Sequence, residues 1–329
     1  MRIENYIPNK QFRYYYSTLN KYDQNAYDTL LNGLLEFKEK IVINFYDKTR
    51  LSLIFSFMKL DIPELFYVQT ISVEYKTFGL TPLRIFPKYR FQYSVVCGML
   101  RDMESKYKTF ISFGLRSPEI EREQMIHDHI VKKNTYRDAD KPYSHEAPGA
   151  LLYDISVCEG VSKAVKWLCD RMQLKCIVAV GESFANGNLG GHSWNLIWID
   201  NTPYHVDITF DNTISSGSIR YDYFNLSDEE VFEDRTINLD YPLPKCNNSR
   251  NWYIENHLFF ETRKSLVHYL RKRAKGEPFS FQLPLFDNNE EIVPLVNQII
   301  SQNITVIQRG TSYTLRYNLP RMVFEVAFK

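Results

Sequence analysis

The chain has 329 residues, 44% hydrophobic and 24% charged, with a formal net charge of +1. These are the proportions of a soluble globular protein long enough for two or three domains, with no global field to hold nucleic acid and no apolar run able to span a bilayer. Five scattered cysteines (Cys97, Cys158, Cys169, Cys176, Cys246) without a CxxC pair argue against a disulfide framework and against a structural zinc site.

Aromatic content is 15%, so ring-rich cores are expected. The opening MRIENYIPNKQFRYYY lacks the apolar stretch of a signal peptide, and the expected compartment is the cytoplasm unless a leader preceded it. Residues 1–116 read as a mixed α/β region. Tyr16 to Phe37 carries a broad helical stripe, and Ile41 to Phe45 a short strand. Asp47 is placed to cap a helix through Leu60. Leu65 to Lys76, Leu83 to Phe86 and Arg90 to Val96 read as strands, punctuated by Gly79 and Pro87.

Residues 117–245 read as a second unit. Ser117-Pro118-Glu119 starts a helix that runs to about Lys133. His127 and His129 on it are two apart and share no face, so they read as one exposed and one packed histidine. Arg137 to Gly149 is a polar loop that could wall a cleft. Cys158 follows an apolar run, and Val161, Ala164, Val165, Leu168 and Met172 then recur at helical spacing. The cysteine thus falls at a helix N-terminus, where unpaired N–H groups and the positive helix end favour a thiolate. The same N–H groups could cradle an oxyanion. Gly160 has no helical reason to stand in a first turn, so close approach of another chain or a substrate is expected there.

Cys176 to Val180 reads as a strand, Gly181 to Gly191 as a glycine-rich loop including Gly187, and His192 to Ile199 as a second strand. Asp200-Asn201 is a two-residue turn and Thr202 to Phe210 the returning strand. That turn pairs Ile199 with Thr202 and sets Asp207 opposite Trp194, with His192 diagonal to Asp207 at roughly 7–8 Å between Cα atoms. A slip of one residue would undo the pairing. Taken singly, Cys158, His192 and Asp207 are each more simply packing residues. Together, in separate elements, they form a nucleophile, a general base and a tautomer-fixing carboxylate.

With these residues on the page, the sequence resembles the transglutaminase-like superfamily of the papain-type thiol fold, as in bacterial transglutaminase-like domain proteins. The resemblance rests on V-C-x-G (Val157, Cys158, Gly160), H-x-W-N (His192, Trp194, Asn195) and Y-x-V-D-x-T-x-D (Tyr204, Val206, Asp207, Thr209, Asp211). Asp61-Ile62-Pro63-Glu64-Leu65-Phe66 and Tyr223-Phe224-Asn225-Leu226-Ser227 are similar to flanking segments of the family. It implies an α+β fold in which a helix carrying the cysteine packs on an antiparallel sheet carrying the histidine and aspartate, flanked by mixed α/β regions. It implies a catalytic triad of Cys158, His192 and Asp207, with Trp194 and Gly160 near the substrate. Val161 stands where the bacterial pattern commonly has an aromatic, which alters the pocket wall. Members of the family are often exported.

Ser227-Asp228-Glu229-Glu230 reads as a helix cap and Tyr241 to Asn251 as a linker. Residues 250–329 read as a small separate α/β unit. Its strands are Trp252–Phe260, Phe279–Leu283, Ile304–Gln308, Ser312–Tyr317 and Val323–Phe328, and its helices Thr262–Lys275 and Asp287–Gln302. The basic cluster of Arg263, Lys264, Arg271, Lys272, Arg273 and Lys275 reads as a solvated helix face.

The expected function is thiol acyl transfer or hydrolysis on a protein or peptide substrate, without cofactor. The alternative is a binding or scaffold protein that keeps the geometry without turnover. No calcium loop or acidic cage is visible, so metal independence is expected. A metal site from His192, His205 and Asp207 is disfavoured, because His205 falls opposite Leu196, too far along the strand from His192. Oligomeric state has no signature in the sequence.

Overall fold

The structure is a computed structural model and describes residues 2–74, 82–185, 188–215, 218–272, 277–284, 289–307 and 312–328. Gly79, Gly187, Arg273 and Lys275 lie outside the described residues, as do residues 75, 76, 287 and 308, the ends of three expected elements.

The chain begins with helices α1 (Tyr14–Thr18), α2 (Lys21–Leu35) and α3 (Lys48–Asp61), strands β1 (Ile41–Ile43), β2 (Val68–Glu74) and β3 (Leu83–Tyr89), and helix α4 (Tyr93–Gly114). The single helix expected over Tyr16–Phe37 is two. The backbone extends at Leu19, and Asn20 starts α2 by accepting the N–H of Asp23 at 2.9 Å. Asp47 caps α3 in the same way, accepting from Arg50. The strand expected from Leu65 starts only at Val68, after a 3-10 turn over Pro63–Tyr67. The strand expected over Arg90–Val96 is absent, and Tyr93 opens the 22-residue α4 instead. A short aromatic and β-branched run reads as strand in a narrow window. The deciding pattern lies downstream, where Val96, Met99, Leu100, Met103 and Tyr107 recur at helical spacing and are all buried.

The middle of the chain supplies α5 (Glu119–Lys133), β4 (Thr135–Tyr136), α6 (Ala147–Leu152), β5 (Ile155–Ser156), α7 (Cys158–Arg171), β6 (Cys176–Ala185), β7 (Asn188–Ile199), β8 (Thr202–Val206), α8 (Ile208–Ile214), α9 (Asp228–Val231) and β9 (Arg235–Ile237). Four of these strands form an antiparallel sheet in the order β8-β7-β6-β9. The segment read as a glycine-rich loop is mostly ladder, paired from Cys176↔Ile197 out to Ala185↔Asn188. Glycine suits this ladder where β9 crowds it: a Cβ on Gly181 would lie 1.9 Å from the Thr236 carbonyl oxygen. Asp200 and Asn201 both take positive φ (51° and 62°), and Ile199 pairs with Thr202. The returning strand is shorter than expected. It stops at Val206 because Asp207 turns the chain into α8 as its cap.

Helix α7 lies against β6 and β7. Asn195 Nδ2 donates to the Ser162 carbonyl at 3.0 Å, and Ser162 Oγ to Ser193 Oγ at 3.2 Å. The apolar stripe is buried as its period demands, and so are Lys163, Lys166 and Asp170 on the other faces. Buried charges need partners. Lys163 has Glu146 at 2.9 Å and Glu159 at 2.7 Å, and Lys166 has Asp170 at 2.6 Å. The helix is thereby enclosed on all sides. One continuous core cluster runs from Ile3 to Phe224, across the expected unit boundary at residue 117.

The last stretch adds α10 (Trp252–Glu255), α11 (Arg263–Lys272), β10 (Phe279–Gln282), α12 (Asn289–Ile307), β11 (Tyr313–Asn318) and β12 (Val323–Phe328) around a core of its own, with sheet order β10-β12-β11. Trp252–Phe260 is not a strand: Asn251 accepts the Tyr253 N–H at 2.9 Å and starts a helical turn. Ile304–Ile307, also expected as strand, continues α12. This unit meets the body through buried polar contacts, among them Tyr253 Oη and Asn318 Nδ2 donating to Asp222, both at 2.9 Å.

Candidate active site

Cys158 is the first residue of α7, with Val157 at the cap position. The thiol is half-buried, whereas Cys169, Cys176 and Cys246 are buried. Across from it, β7 carries His192, whose Nε2 lies 2.6 Å from Asp207 Oδ2. With that nitrogen engaged, the other one meets the Cys158 thiol. The imidazole is held flat between Phe210 (ring centroids 4.8 Å apart, planes 22°) and Trp194 (5.9 Å, 15°). Asp207 is fixed by its role as helix cap. Its Oδ1 accepts the Phe210 N–H at 3.0 Å. The structure therefore brings Cys158, His192 and Asp207 into one line, with Cys158 at the start of α7, His192 inside β7 and Asp207 at the cap of α8.

The electrostatics follow from this packing. Burial alone would lower His192, but the charge and hydrogen bond of Asp207, with the bond to Cys158, raise it to about 9. Burial alone would raise the Cys158 thiol. The hydrogen bond and charge of His192 and the Ser193 N–H outweigh this, and the thiol is lowered. Asp207 is buried, yet His192 and Arg235 hold its carboxyl well below the usual carboxylate range. The three groups thus favour a thiolate beside an imidazolium.

Two residues at this site carry no sequence signal. Arg235 on β9 places Nη1 2.6 Å from Asp207 Oδ2 and has no solvent exposure. The hydroxyl of Tyr136 reaches the thiol and backbone N–H of Cys158; burial and the thiolate push it up to about 12. A cleft of about 540 Å³ opens over Cys158, His192 and Gly191, and its far wall includes Phe55, Lys59 and Arg90 from the N-terminal region. His145 of the loop before α6 lines it as well.

The expected substrate contacts are placed differently. Trp194 is 1% exposed and stands behind His192, donating its Nε1–H to His205 Nδ1 at 2.9 Å. Gly160 is buried under the chain itself: a Cβ there would lie 2.1 Å from Ser156 Oγ and 2.8 Å from the Ser144 carbonyl. Neither lines the cleft. Of the α5 histidines, His127 is fully buried between Asp128 (3.1 Å) and Asp211 (3.0 Å), and His129 hydrogen-bonds Tyr107 Oη at 3.0 Å. The expected exposed histidine is therefore partly buried.

His205, Asp228 and Cys246 bring their donor atoms within 4.8 Å of one another. Their hydrogen bonds do not suit a metal. Trp194 donates to His205 Nδ1, so the ring proton sits on Nε2 and is donated to Asp228 at 2.8 Å. A metal on Nε2 would need that proton on Nδ1, facing the Trp194 N–H.

No protein-family model and no curated protein matches the sequence. Among solved structures, the chain is similar to a provisionally named cysteine protease from Cytophaga hutchinsonii, at 12% identity over 43% of this chain and 61% of that one, with a TM-score of 0.29. It is similar to a structure named a TGase, at 12% identity over 52% of this chain and 51% of that one, with a TM-score of 0.29. It is also similar to a provisionally named protease from Parabacteroides distasonis, at 14% identity over 40% of this chain and 29% of that one, with a TM-score of 0.25. The chain thus spans less than two thirds of each of these proteins, and likenesses this distant add nothing to the chemistry that the geometry supports.

Proposed function

We propose that the protein is a thiol acyl-transfer enzyme acting on a carboxamide or peptide carbonyl of a protein or peptide. The observation that supports this most is the alignment of Cys158, His192 and Asp207 on a cleft, with the thiol lowered and the imidazole raised. The Cys158 thiolate attacks the carbonyl carbon, and the helix N-terminus of α7 faces the developing oxyanion. His192 gives its proton to the leaving nitrogen. The C–N bond breaks, and an acyl thioester remains on Cys158. Water or an amine then enters, loses a proton to His192 and breaks the C–S bond, which restores the thiolate–imidazolium pair. Asp207 stays ionised throughout and keeps the ring oriented.

The test is trapping of the thioester. Wild-type protein is incubated with a library of peptides and glutamine peptides, quenched in acid, and Cys158 is weighed by mass spectrometry. The expected result is an acyl adduct on Cys158, with ammonia or amine released. Cys158→Ala forms no adduct while its circular dichroism is unchanged. Folded wild-type protein that forms no adduct with any donor class overturns the proposal in favour of binding without turnover.

A further inference from the structure

His192 and Arg235 hold the same carboxylate oxygen. His192 Nε2 and Arg235 Nη1 each lie 2.6 Å from Asp207 Oδ2. Two cations on one oxygen compete for its charge. Fold stability does not account for this arginine. Its guanidinium lies 5.2 Å from the Trp194 ring, 4.9 Å from Phe210 and 5.1 Å from Tyr223, without solvent contact. Its Nη2 has no hydrogen-bond partner among the described residues. A buried ion cluster with an unmet N–H is, taken whole, often no more stable than apolar side chains of the same volume. On its other side Arg235 Nε donates to Asp234 Oδ1 at 2.9 Å. Asp234 Oδ2 accepts from Tyr223 Oη at 2.9 Å and lies 3.7 Å from Arg321 Nη2, which comes from the C-terminal unit. Charge therefore alternates along one line: Arg321, Asp234, Arg235, Asp207, His192, Cys158.

We propose that Arg235 is a positioning residue that sets the pH at which His192 gives up its proton, and that the C-terminal unit acts on the site through Arg321 and Asp234. This rests on Cys158 and His192 being the reacting pair. The charged and titratable groups facing His192 are Asp207, Cys158 from α7 and Arg235 from β9, with Tyr136 of β4 beyond the thiol. Those facing Arg235 are Asp207, Asp234, Tyr223 and His205, with Arg321 across the Tyr223 ring. The sign of each effect follows from place in the line. The positive Arg235 discourages a second positive charge on His192, and Asp234 restrains Arg235. Removing the arginine charge lets the imidazolium persist to higher pH, and removing the Asp234 charge makes it fail at lower pH.

The experiment follows alkylation of Cys158 by iodoacetate across pH in the full-length protein, read by mass spectrometry, with neutral iodoacetamide in parallel. The anionic reagent is drawn to the imidazolium, so its rate falls as His192 loses its proton. Iodoacetamide reports the thiolate alone. Arg235→Met moves the alkaline limb of the iodoacetate profile up by about one pH unit, the size expected for losing one nearby charge. Arg235→Lys returns the limb toward wild type because it keeps the charge. Asp234→Asn moves it down, and Arg321→Met moves it up by a fraction of the Arg235→Met shift. A merely structural arginine would lower rates at every pH and leave the limb in place. Limbs that stay put, or that move the same way in Arg235→Met and Asp234→Asn, overturn the proposal. If Arg235→Met does not fold, the opposed shifts of Asp234→Asn and Arg321→Met decide it alone. A Cys158 no more reactive than the other cysteines in wild type would instead defeat the underlying assignment of the reacting pair.

Discussion

A cysteine, a histidine and an aspartate come together twice, each time around a histidine of the same sheet. Cys158, His192 and Asp207 meet at the cleft, and Cys246, His205 and Asp228 meet on the far side of Trp194. The residue types are the same and the proton distributions are opposite. At the first cluster burial is overcome, with His192 raised to about 9 and Cys158 lowered. At the second, burial prevails: His205 is lowered and Cys246 is pushed up to about 12. The difference is the direction of hydrogen bonds. Both nitrogens of His192 face acceptors, a carboxylate and a thiolate, so the ring favours two protons. Trp194 makes Nδ1 of His205 an acceptor, so that ring holds one proton and offers no charge to a thiolate. The charged neighbour of Cys246 is the Asp228 carboxylate, which adds to burial in pushing the thiol up. On the proposed reading, reactivity belongs to the donors and acceptors around the three residues, and the residue names alone do not confer it.

The largest expected effect is a rate ratio. At neutral pH, iodoacetamide labels Cys158 faster than Cys246 by about a thousandfold or more, because the thiolate is the nucleophile and the two thiols titrate far apart. Peptide-resolved mass spectrometry of a time course measures it. Comparable rates would erase the distinction between the clusters. Next in size are the two histidine variants. His192→Ala slows Cys158 alkylation by roughly tenfold or more, because the hydrogen bond and charge that hold the thiol down are lost. His205→Ala leaves that rate within about twofold. The reverse outcome would mean that the second cluster supports the first thiol.

How much of this was legible in the sequence depended on range. The hairpin is readable because Asp200-Asn201 sets its own turn, and the turn sets the register out to Asn195↔Val206. The pairing of Asp207 with Trp194 does not form, since Asp207 leaves the ladder to cap α8 and meets His192 from there. Cys158 at a helix start was readable from thirteen or so following residues of one period. Arg235 was not. It reaches Asp207 only because β9 pairs with β6, and a three-residue strand in a polar segment has no period to read. Tyr136 lies on a two-residue strand and is hidden for the same reason. Lys59 and Arg90 enter the cleft by tertiary packing of the N-terminal region, which no local pattern announces. Gly160 did mark a close approach, but what approaches is the 144–146 segment of the chain itself.

Stability against pH should separate the two histidines with opposite signs. The folded pKa of His192 is raised from 6.5 to about 9, so its contribution is fully present below 6.5 and is lost as pH rises through 9. The folded pKa of His205 is lowered, so the unfolded chain takes that proton more readily and stability is lost as pH falls below 6.5. Urea midpoints measured across pH then give the test. His192→Gln flattens the alkaline arm, an effect that the lowered Cys158 thiol, whose contribution grows as pH rises toward 9, offsets in part. His205→Gln flattens the acid arm by less. Arms that respond the other way round would contradict the proton assignments. Asp207, depressed in the fold, stabilises above its ordinary value of 3.8 and is lost as pH falls below it, less so in His192→Gln, which lacks one of the two cations that hold the carboxyl down.

The smallest expected effect probes the wall between the clusters. Trp194→Phe keeps an aromatic ring against His192 but deletes the N–H that His205 accepts. One buried hydrogen bond is lost, for about 1 kcal/mol of stability, and Cys158 alkylation changes by less than about twofold. The consequence at the second cluster is qualitative. His205 can now carry its proton on Nδ1 and present a lone pair from Nε2 beside Asp228 and Cys246, a donor set that suits zinc. In a Cys158→Ala background, which removes the competing thiolate, added zinc should raise the Tm of Trp194→Phe and leave that of the Trp194 parent unchanged. Equal zinc responses in the two proteins would show that the tryptophan N–H does not set the His205 tautomer, and the contrast between the clusters would lose its physical cause.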